Sequence, residues 1–268
     1  MHIKNKVTLI STSFKNSSID VKKCLDSVIG QTYKNIEILV VLPPFSNNYN
    51  LIKKYSQKYK NIKIIKTQKL LNIGSSLNIA LKKSVGEFIA RFDFDDVYHA
   101  SRISNQVNFM KKNLEVDFCS TNAKILYKNK LFYKNYPINN LFFFIYLFFR
   151  NPIFHPCVMF RSSKIRNKFF YNEALNFSED LDLWIRLLIK GKKFKNISKY
   201  LVIYKKKTII RNKKNFYYNY LIRKKYAKKI YGNILGQLNI FIYKLIFVEL
   251  FNFSSKIFKL IMRKNDFR

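Results

Sequence analysis

LNIGSSLNIALKKSVGEFIARFDFDD, residues 71–96, is the stretch whose reading decides the fold. Asn72-Ile73-Gly74 introduces a helical spacing of apolar residues over 75–83. An apolar run over 87–92 then reads as a strand that stops at Asp93-Phe94-Asp95-Asp96. Upstream the same alternation repeats. Residues 7–13 read as a strand, and 19–29 as a helix with Val21, Leu25, Val28 and Ile29 on one face. NIEILVVL over 35–42 is the continuous apolar run of a buried parallel strand. A helix over 49–59 and a short strand over 62–65 follow. Strand and helix alternating through short links predict a doubly wound, mostly parallel α/β sheet. Ligands of such sheets bind beyond the carboxyl ends of the strands, where the acidic run falls.

Further along, the pattern is less regular. It predicts a helix over 101–112, two strands within 116–136 around Lys128-Asn129-Lys130, and an apolar helix over 141–150. A strand over 153–161 containing His155-Pro156, a helix over 179–189 and a strand over 195–204 complete an α+β half. From Lys205 the composition becomes basic and aromatic, and residues 209–268 read as helical.

Only fifteen acidic residues are present, and six fall in two clusters: Asp93, Asp95 and Asp96, then Glu179, Asp180 and Asp182. Three carboxylates in four residues repel one another unless a cation or hydrogen-bond donors compensate. An Asp-x-Asp loop at a strand end suits Mg2+ or Mn2+, hard ions that take oxygen ligands and leave room for phosphate oxygens. In the second cluster, Ser178 can cap the helix, with Glu179 and Asp180 in its first turn. The same carboxylates suit a general base acting on a hydroxyl, and the residues alone leave both readings open.

Composition narrows the classes. Hydrophobic residues make up 48% of 268, enough for a core, so the chain is not disordered or fibrous. The net charge of +36 favours polyanions: nucleic acid, an anionic membrane face or phosphorylated ligands. Much of the excess is Lys accompanied by Ile, Asn, Phe and Tyr, types that share A/T-rich codons, so genome composition is the competing explanation. Cys24, Cys119 and Cys157 are far apart and form no metal spacing, which implies buried thiols in a reduced compartment. The start lacks a signal-peptide stretch. The apolar run at 141–149 is too short to span a bilayer. The run at 235–253 carries Gln237, Asn239, Lys244 and Glu249, which suits lying on a membrane better than crossing it.

Three stretches together carry a family resemblance: CLDSVIGQTYKNIEILVV from Cys24, residues 71–96, and HPCVMF from His155 with SEDLDLWIRL from Ser178. Over roughly residues 5–205 the chain resembles the family 2 glycosyltransferases of GT-A fold, of bacterial surface-glycan type. The resemblance implies a catalytic domain over 1–208, with a nucleotide-sugar-binding half at 1–98 and an acceptor half at 99–208, and a basic, aromatic tail at 209–268. It implies inverting transfer of a sugar from a nucleotide-diphospho-sugar, a UDP-sugar first, to a hydroxyl of a glycan or lipid-linked acceptor. Asp93 and Asp95 match the acidic motif that handles ribose and metal, with Asp95 the metal ligand and Mn2+ or Mg2+ the cofactor. Asp96 supports that loop. Asp180 matches the base position, with Glu179 beside it. Ser13, Phe14, Asn72, Gly74, Asn78 and Arg91 frame the donor. His155 and Trp184 are the acceptor-contact candidates.

One departure stands out. Relatives end their second strand in an acid that pairs with the base, whereas here the segment is Val40-Val41-Leu42-Pro43-Pro44-Phe45-Ser46. The base is therefore open, with Asn47, Asn48 or the Phe45 ring as substitutes, and a catalytically impaired partner protein is the alternative reading. A nucleic-acid-binding protein is the weaker alternative. No helix-turn-helix, zinc-finger or RNP signature is present, and an acidic loop repels phosphate unless a metal intervenes, so no nucleic-acid partner is expected. The tail suits an anionic membrane surface, with Lys and Arg at head groups and aromatics below. That places the chain in the cytoplasm, at the inner face of the membrane.

Overall fold

The structure, a computed structural model, describes residues 2–13, 15–165, 170–206 and 213–245. In chain order it contains β1 (Ile3–Thr12), α1 (Ser18–Ile29), β2 (Ile36–Leu42), α2 (Tyr49–Lys58), β3 (Ile62–Lys66), α3 (Ile73–Lys83) and β4 (Gly86–Arg91). Next come β5 (Asp96–Tyr98), α4 (Arg102–Lys112), β6 (Phe118–Tyr127), β7 (Lys130–Lys134) and α5 (Asn140–Leu147). A 3-10 turn (His155–Cys157), β8 (Met159–Arg161), α6 (Ser162–Ile165), α7 (Glu179–Ile189), β9 (Phe194–Lys205) and α8 (Lys213–Tyr243) complete it. The contacts divide the chain into two compact units, Met1–Leu147 with Asn151–Lys207, and Phe148–Arg150 with Thr208–Arg268.

The first unit is built on one mixed sheet of order β3-β2-β1-β4-β8-β6-β9-β5, with β7 paired to β6. β1 pairs in parallel with both β2 and β4, and β2 with β3. The direction reverses where β8 pairs antiparallel with β4. All seven β2 residues are buried, which explains its unbroken apolar run. Beside them, Val7, Leu9, Val21, Leu25, Val28, Ile52, Phe88 and Ala90 form the core. Gly86 is a close-approach glycine: a Cβ there would meet the Thr8 amide nitrogen at 2.6 Å. Because β1 to β4 run the same way, their carboxyl ends share one edge of the sheet. The acidic run leaves β4 on that edge, beside the reversal, the kind of crevice in which open α/β sheets hold ligands.

Two local expectations change. Residues 153–161 are not one strand: the backbone turns over His155–Cys157 before β8 begins. Pro156 has no amide proton to give a ladder, so a turn absorbs it. Ser178 precedes α7 in a left-handed conformation, φ 59°, and its side chain makes no capping hydrogen bond. The three thiols are free and buried.

In the second unit, α8 contains a break at Gly232, φ 75°, in the left-handed region that glycine tolerates. The two helical arms meet closely, and a Cβ on Gly236 would lie 3.0 Å from the Ala227 backbone. Arg223 sits over the Tyr243 ring at 4.3 Å, and Asn239 donates to the Phe148 carbonyl at 2.6 Å. The helical expectation for 246–268 lies outside the described residues. Among the described residues, no helix is long and apolar enough to cross a membrane.

Candidate active site

The acidic run is held by its own alternation. Phe92 and Phe94 are buried and meet edge to face at 5.2 Å, which leaves Asp93 and Asp95 half-buried at the surface. The Asp93 backbone is fixed on both sides. Its amide donates to the Tyr98 hydroxyl at 2.6 Å, and the Cys24 thiol donates to its carbonyl at 3.2 Å. The buried Arg91 guanidinium lies 2.7 Å from Asp93 Oδ1. Asp96 turns inward as the first residue of β5 and is 1% exposed, with the Lys205 backbone amide acting on its carboxyl. Burial, then Asp93 and Asp95, push this carboxyl well above the usual range. Among the described residues, no three His, Cys, Asp or Glu side chains form a ready-made metal cage.

The second acidic cluster comes to the same place. Burial and Asp180 push the Glu179 carboxyl up to about 7, with Arg91 acting against and Asp93 adding to the rise. Charges from two clusters more than eighty residues apart therefore share one field. Asp180 is half-buried; Asn151 Nδ2 donates to its Oδ2 at 2.8 Å, and the Leu181 amide donates to its Oδ1 at 2.7 Å. Asp182 takes no part and pairs with Arg186 at 2.7 Å, the structural ion pair that i,i+4 spacing permits.

Glu179 yields a pH prediction. Its folded value lies above the ordinary 4.5, so the neutral carboxyl is the favoured form. The stability it confers is complete below about 4.5 and is lost as pH rises through about 7. Glu179→Gln is expected to abolish this fall in melting temperature across that window, measured without divalent cations. A variant profile parallel to that of the native chain would remove the assignment.

Three donor-frame candidates turn out to hold a loop. Asn78 donates to the Tyr171 carbonyl at 3.0 Å and to Glu173 Oε1 at 2.8 Å, and accepts from the Tyr171 amide at 2.8 Å. Both of its amide protons are used, so it has none left for a donor. Asn72 caps α3 through the Ser75 amide at 2.8 Å and donates to the Glu173 carbonyl at 2.6 Å. Gly74 lets this loop approach: a Cβ there would lie 3.2 Å from that of Tyr171. These residues act on the site through the segment that leads to Glu179. Sequence reasoning missed Tyr171, Glu173 and Asn151, whose partners Asn78 and Asp180 lie far along the chain.

His155 Nε2 and the Tyr171 hydroxyl lie 2.7 Å apart. Burial, then Arg91, pull this imidazole well below its ordinary pKa, so it is neutral. Trp184 is fully buried, stacked on Phe118 and Phe160 and edge-on to His155. No ring face is left for an acceptor, which corrects the contact the sequence allowed it.

At the other end of the edge, Ser13 donates to Asn16 Oδ1 at 3.1 Å, and its carbonyl accepts from Ser46 at 3.2 Å. Phe14 lies outside the described residues. Asn48 is fully buried and spends its amide on the Asn16 carbonyl at 2.9 Å, so it does not replace the missing acid. Phe45, with φ 60°, is 99% exposed between two hollows of about 370 and 910 Å³. Asn47 lines both, Lys66 the first, and Lys15 and Lys69 the second.

The model for "Glycosyl transferase family 2" matches residues 10–170. An uncharacterized glycosyltransferase of Methanocaldococcus jannaschii is 30% identical over 256 residues, covering 90% of this chain and 86% of that protein. The amylovoran biosynthesis glycosyltransferase AmsE of Erwinia amylovora is 29% identical over 241 residues, covering 86% and 89%. Among solved structures, S. aureus TarS 1–349 in complex with UDP is similar with a TM-score of 0.66. At 16% identity, over 83% of this chain and 65% of that one, this likeness speaks for the GT-A fold alone. By the span of that family match, and by a relative aligned over nearly its whole length, the chain belongs to the family 2 glycosyl transferases.

Proposed function

We propose that the chain moves a sugar from a UDP-sugar to a hydroxyl of a lipid-linked or growing surface glycan, with inversion at the anomeric carbon. The observation that carries this reading is the match of residues 10–170 to the family, with the acidic loop at the carboxyl edge of the sheet held by the Arg91–Asp93 pair at 2.7 Å. The acceptor oxygen bonds to the anomeric carbon as its proton passes to Asp180, and the bond to the diphosphate breaks with its electron pair on the leaving nucleotide. Asn151 keeps the Asp180 carboxylate oriented. The Arg91–Asp93 pair fixes the loop on which the diphosphate rests.

The fold family often uses a divalent metal. The residues fit Mg2+ or Mn2+: Asp93 and Asp95 are half-buried carboxylates two residues apart in the loop that follows β4. Ions of this kind are bound by one or two carboxylates together with substrate phosphates, so no protein cage is required. Asp95 and Asp93 are the proposed ligands, and a bound ion would share the negative charge of the diphosphate. His155 holds Tyr171 rather than the acceptor.

The names of AmsE and of a UDP-Gal:alpha-D-GlcNAc-diphosphoundecaprenol beta-1,3-galactosyltransferase of Escherichia coli, 26% identical over 198 residues, support the surface-glycan and lipid-carrier reading. A chain acting there works on the cytoplasmic face of the membrane, with its basic tail on the anionic leaflet. The test is a thermal-shift screen of nucleotide-sugars with Mn2+ or Mg2+. A donor at about 100 times its dissociation constant adds about 2.7 kcal/mol, and no shift with any donor would defeat the reading.

A further inference from the structure

We propose that the first unit carries its own membrane-seating surface, formed by β7 and the outer face of α5, and that its occupant is an anionic bilayer leaflet. The inference rests on the reading of a lipid-carried acceptor and adds to it a surface of the first unit.

β7 is an edge strand, paired to β6 alone. A five-residue strand normally buries one face, yet Lys130, Leu131, Phe132 and Tyr133 are all exposed. Leu131 is 47% and Phe132 50% exposed. Exposed apolar edges invite unwanted pairing, and proteins blunt them with charge. Here the charge is of one sign, from Lys128, Lys130 and Lys134.

α5 shows the same choice. Phe143 and Leu147 are buried, whereas Leu141 is 66%, Phe142 49% and Ile145 57% exposed. The helix is firmly seated. Asn140 accepts from the Phe194 amide at 2.7 Å and donates to the Lys192 carbonyl at 3.1 Å. Lys134 reaches the Tyr146 hydroxyl and lies over its ring at 5.2 Å, so the strand and the helix adjoin. Tyr146 is one helical turn from Phe142, which turns that exposed side towards β7. Phe132 shares the Lys134 face of β7, and with Phe142 and Ile145 it supplies exposed apolar side chains of the kind that mark an interaction site.

Charge selects the occupant. Between Asp117 and Glu173 there is no acidic residue, against nine Lys and Arg. An exposed apolar and aromatic surface whose own segment carries only cationic charge matches a leaflet with anionic head groups over acyl chains. The link to the site is short. Asn151, which orients Asp180, lies four residues beyond the end of α5. A leaflet seated on this patch brings a lipid-borne hydroxyl towards the proposed base.

The experiment uses the full chain with vesicles of phosphatidylcholine alone and of phosphatidylcholine with about one third phosphatidylglycerol. The double variants Leu131→Ser/Phe132→Ser and Phe142→Ser/Ile145→Ser are each expected to weaken co-sedimentation with the anionic vesicles about tenfold. Their donor-induced thermal shift and their transfer to a water-soluble acceptor should be unchanged. Phe132→Trp and Phe142→Trp provide a reading that does not depend on loss: indole emission should shift to the blue on adding anionic vesicles and be quenched by brominated lipid. Native binding by both serine variants, or unshifted emission, overturns the proposal. Loss of binding only when Lys224, Lys225 and Lys228 are changed to Glu overturns it in favour of the tail. Self-association that those serine variants abolish, without vesicle binding, overturns it in favour of a second copy. In each of these cases, intact transfer to the soluble acceptor leaves the proposed function standing, whereas loss of donor binding defeats that function whatever the vesicles do.

Discussion

Asp180→Asn is expected to lower kcat for sugar transfer about 100- to 10,000-fold, the range over which a positioned general base contributes. The donor KM should change little, since the interaction lost is one made in the transition state. Asn has the same shape, but one of its two terminal atoms becomes a donor. Asn151 and the Leu181 amide both donate to Asp180, so one of these bonds is lost. That costs about 1 kcal/mol of stability, which a melting curve separates from the loss of rate. Glu179 offers the internal comparison. It is 8% exposed and prefers to be neutral up to about pH 7, which makes it the less suitable base. If Glu179→Gln lost more rate than Asp180→Asn at pH 8, the roles would have to be exchanged.

Asp95→Ala should remove the metal-dependent part of the donor's thermal shift and lower kcat about 100- to 1,000-fold, the scale of losing one fixed stabiliser of developing charge. Asp95 is a cleaner probe than Asp93. Removing Asp93 would also strand the Arg91 guanidinium, which is 2% exposed and lies 2.7 Å away. An uncompensated buried charge destabilises the fold by itself, so an Asp93 variant would mix folding with binding. A donor shift with Mn2+ that survives unchanged in Asp95→Ala would defeat the metal assignment.

Where a pattern repeats along the chain, the sequence was a good guide. The helix over Glu179–Ile189 and the parallel strands were legible because apolar spacing reflects burial directly. β5 was not legible, because three residues after an acidic loop carry no period. The His155-Pro156 turn was hidden inside an apolar run whose burial resembles that of a strand. The acidic loop could be read from charge, since few residue types do its work. The partners of Asn78 could not. Its hydrogen bonds reach residues 93 and 95 positions away, and nothing local marks an amide that will be spent on a distant backbone. The missing strand-two acid was legible as an absence. Its surroundings were not, since Asn48 looked as available as Asn47 until its burial was known.

The bonds from Asn72 and Asn78 to Tyr171 and Glu173 also bear on how such enzymes can be recombined. They fasten the start of α3 to the lead-in of α7 like a clasp with its two parts on different sides of residue 98. A chimera cut at that point, joining the first part of one relative to the second part of another, inherits half a clasp from each parent. Grafts that transfer residues 72–78 and 171–173 as one cassette keep the fastening whole. The boundary that keeps this fastening whole is therefore drawn by these few amides rather than by the midpoint of the chain.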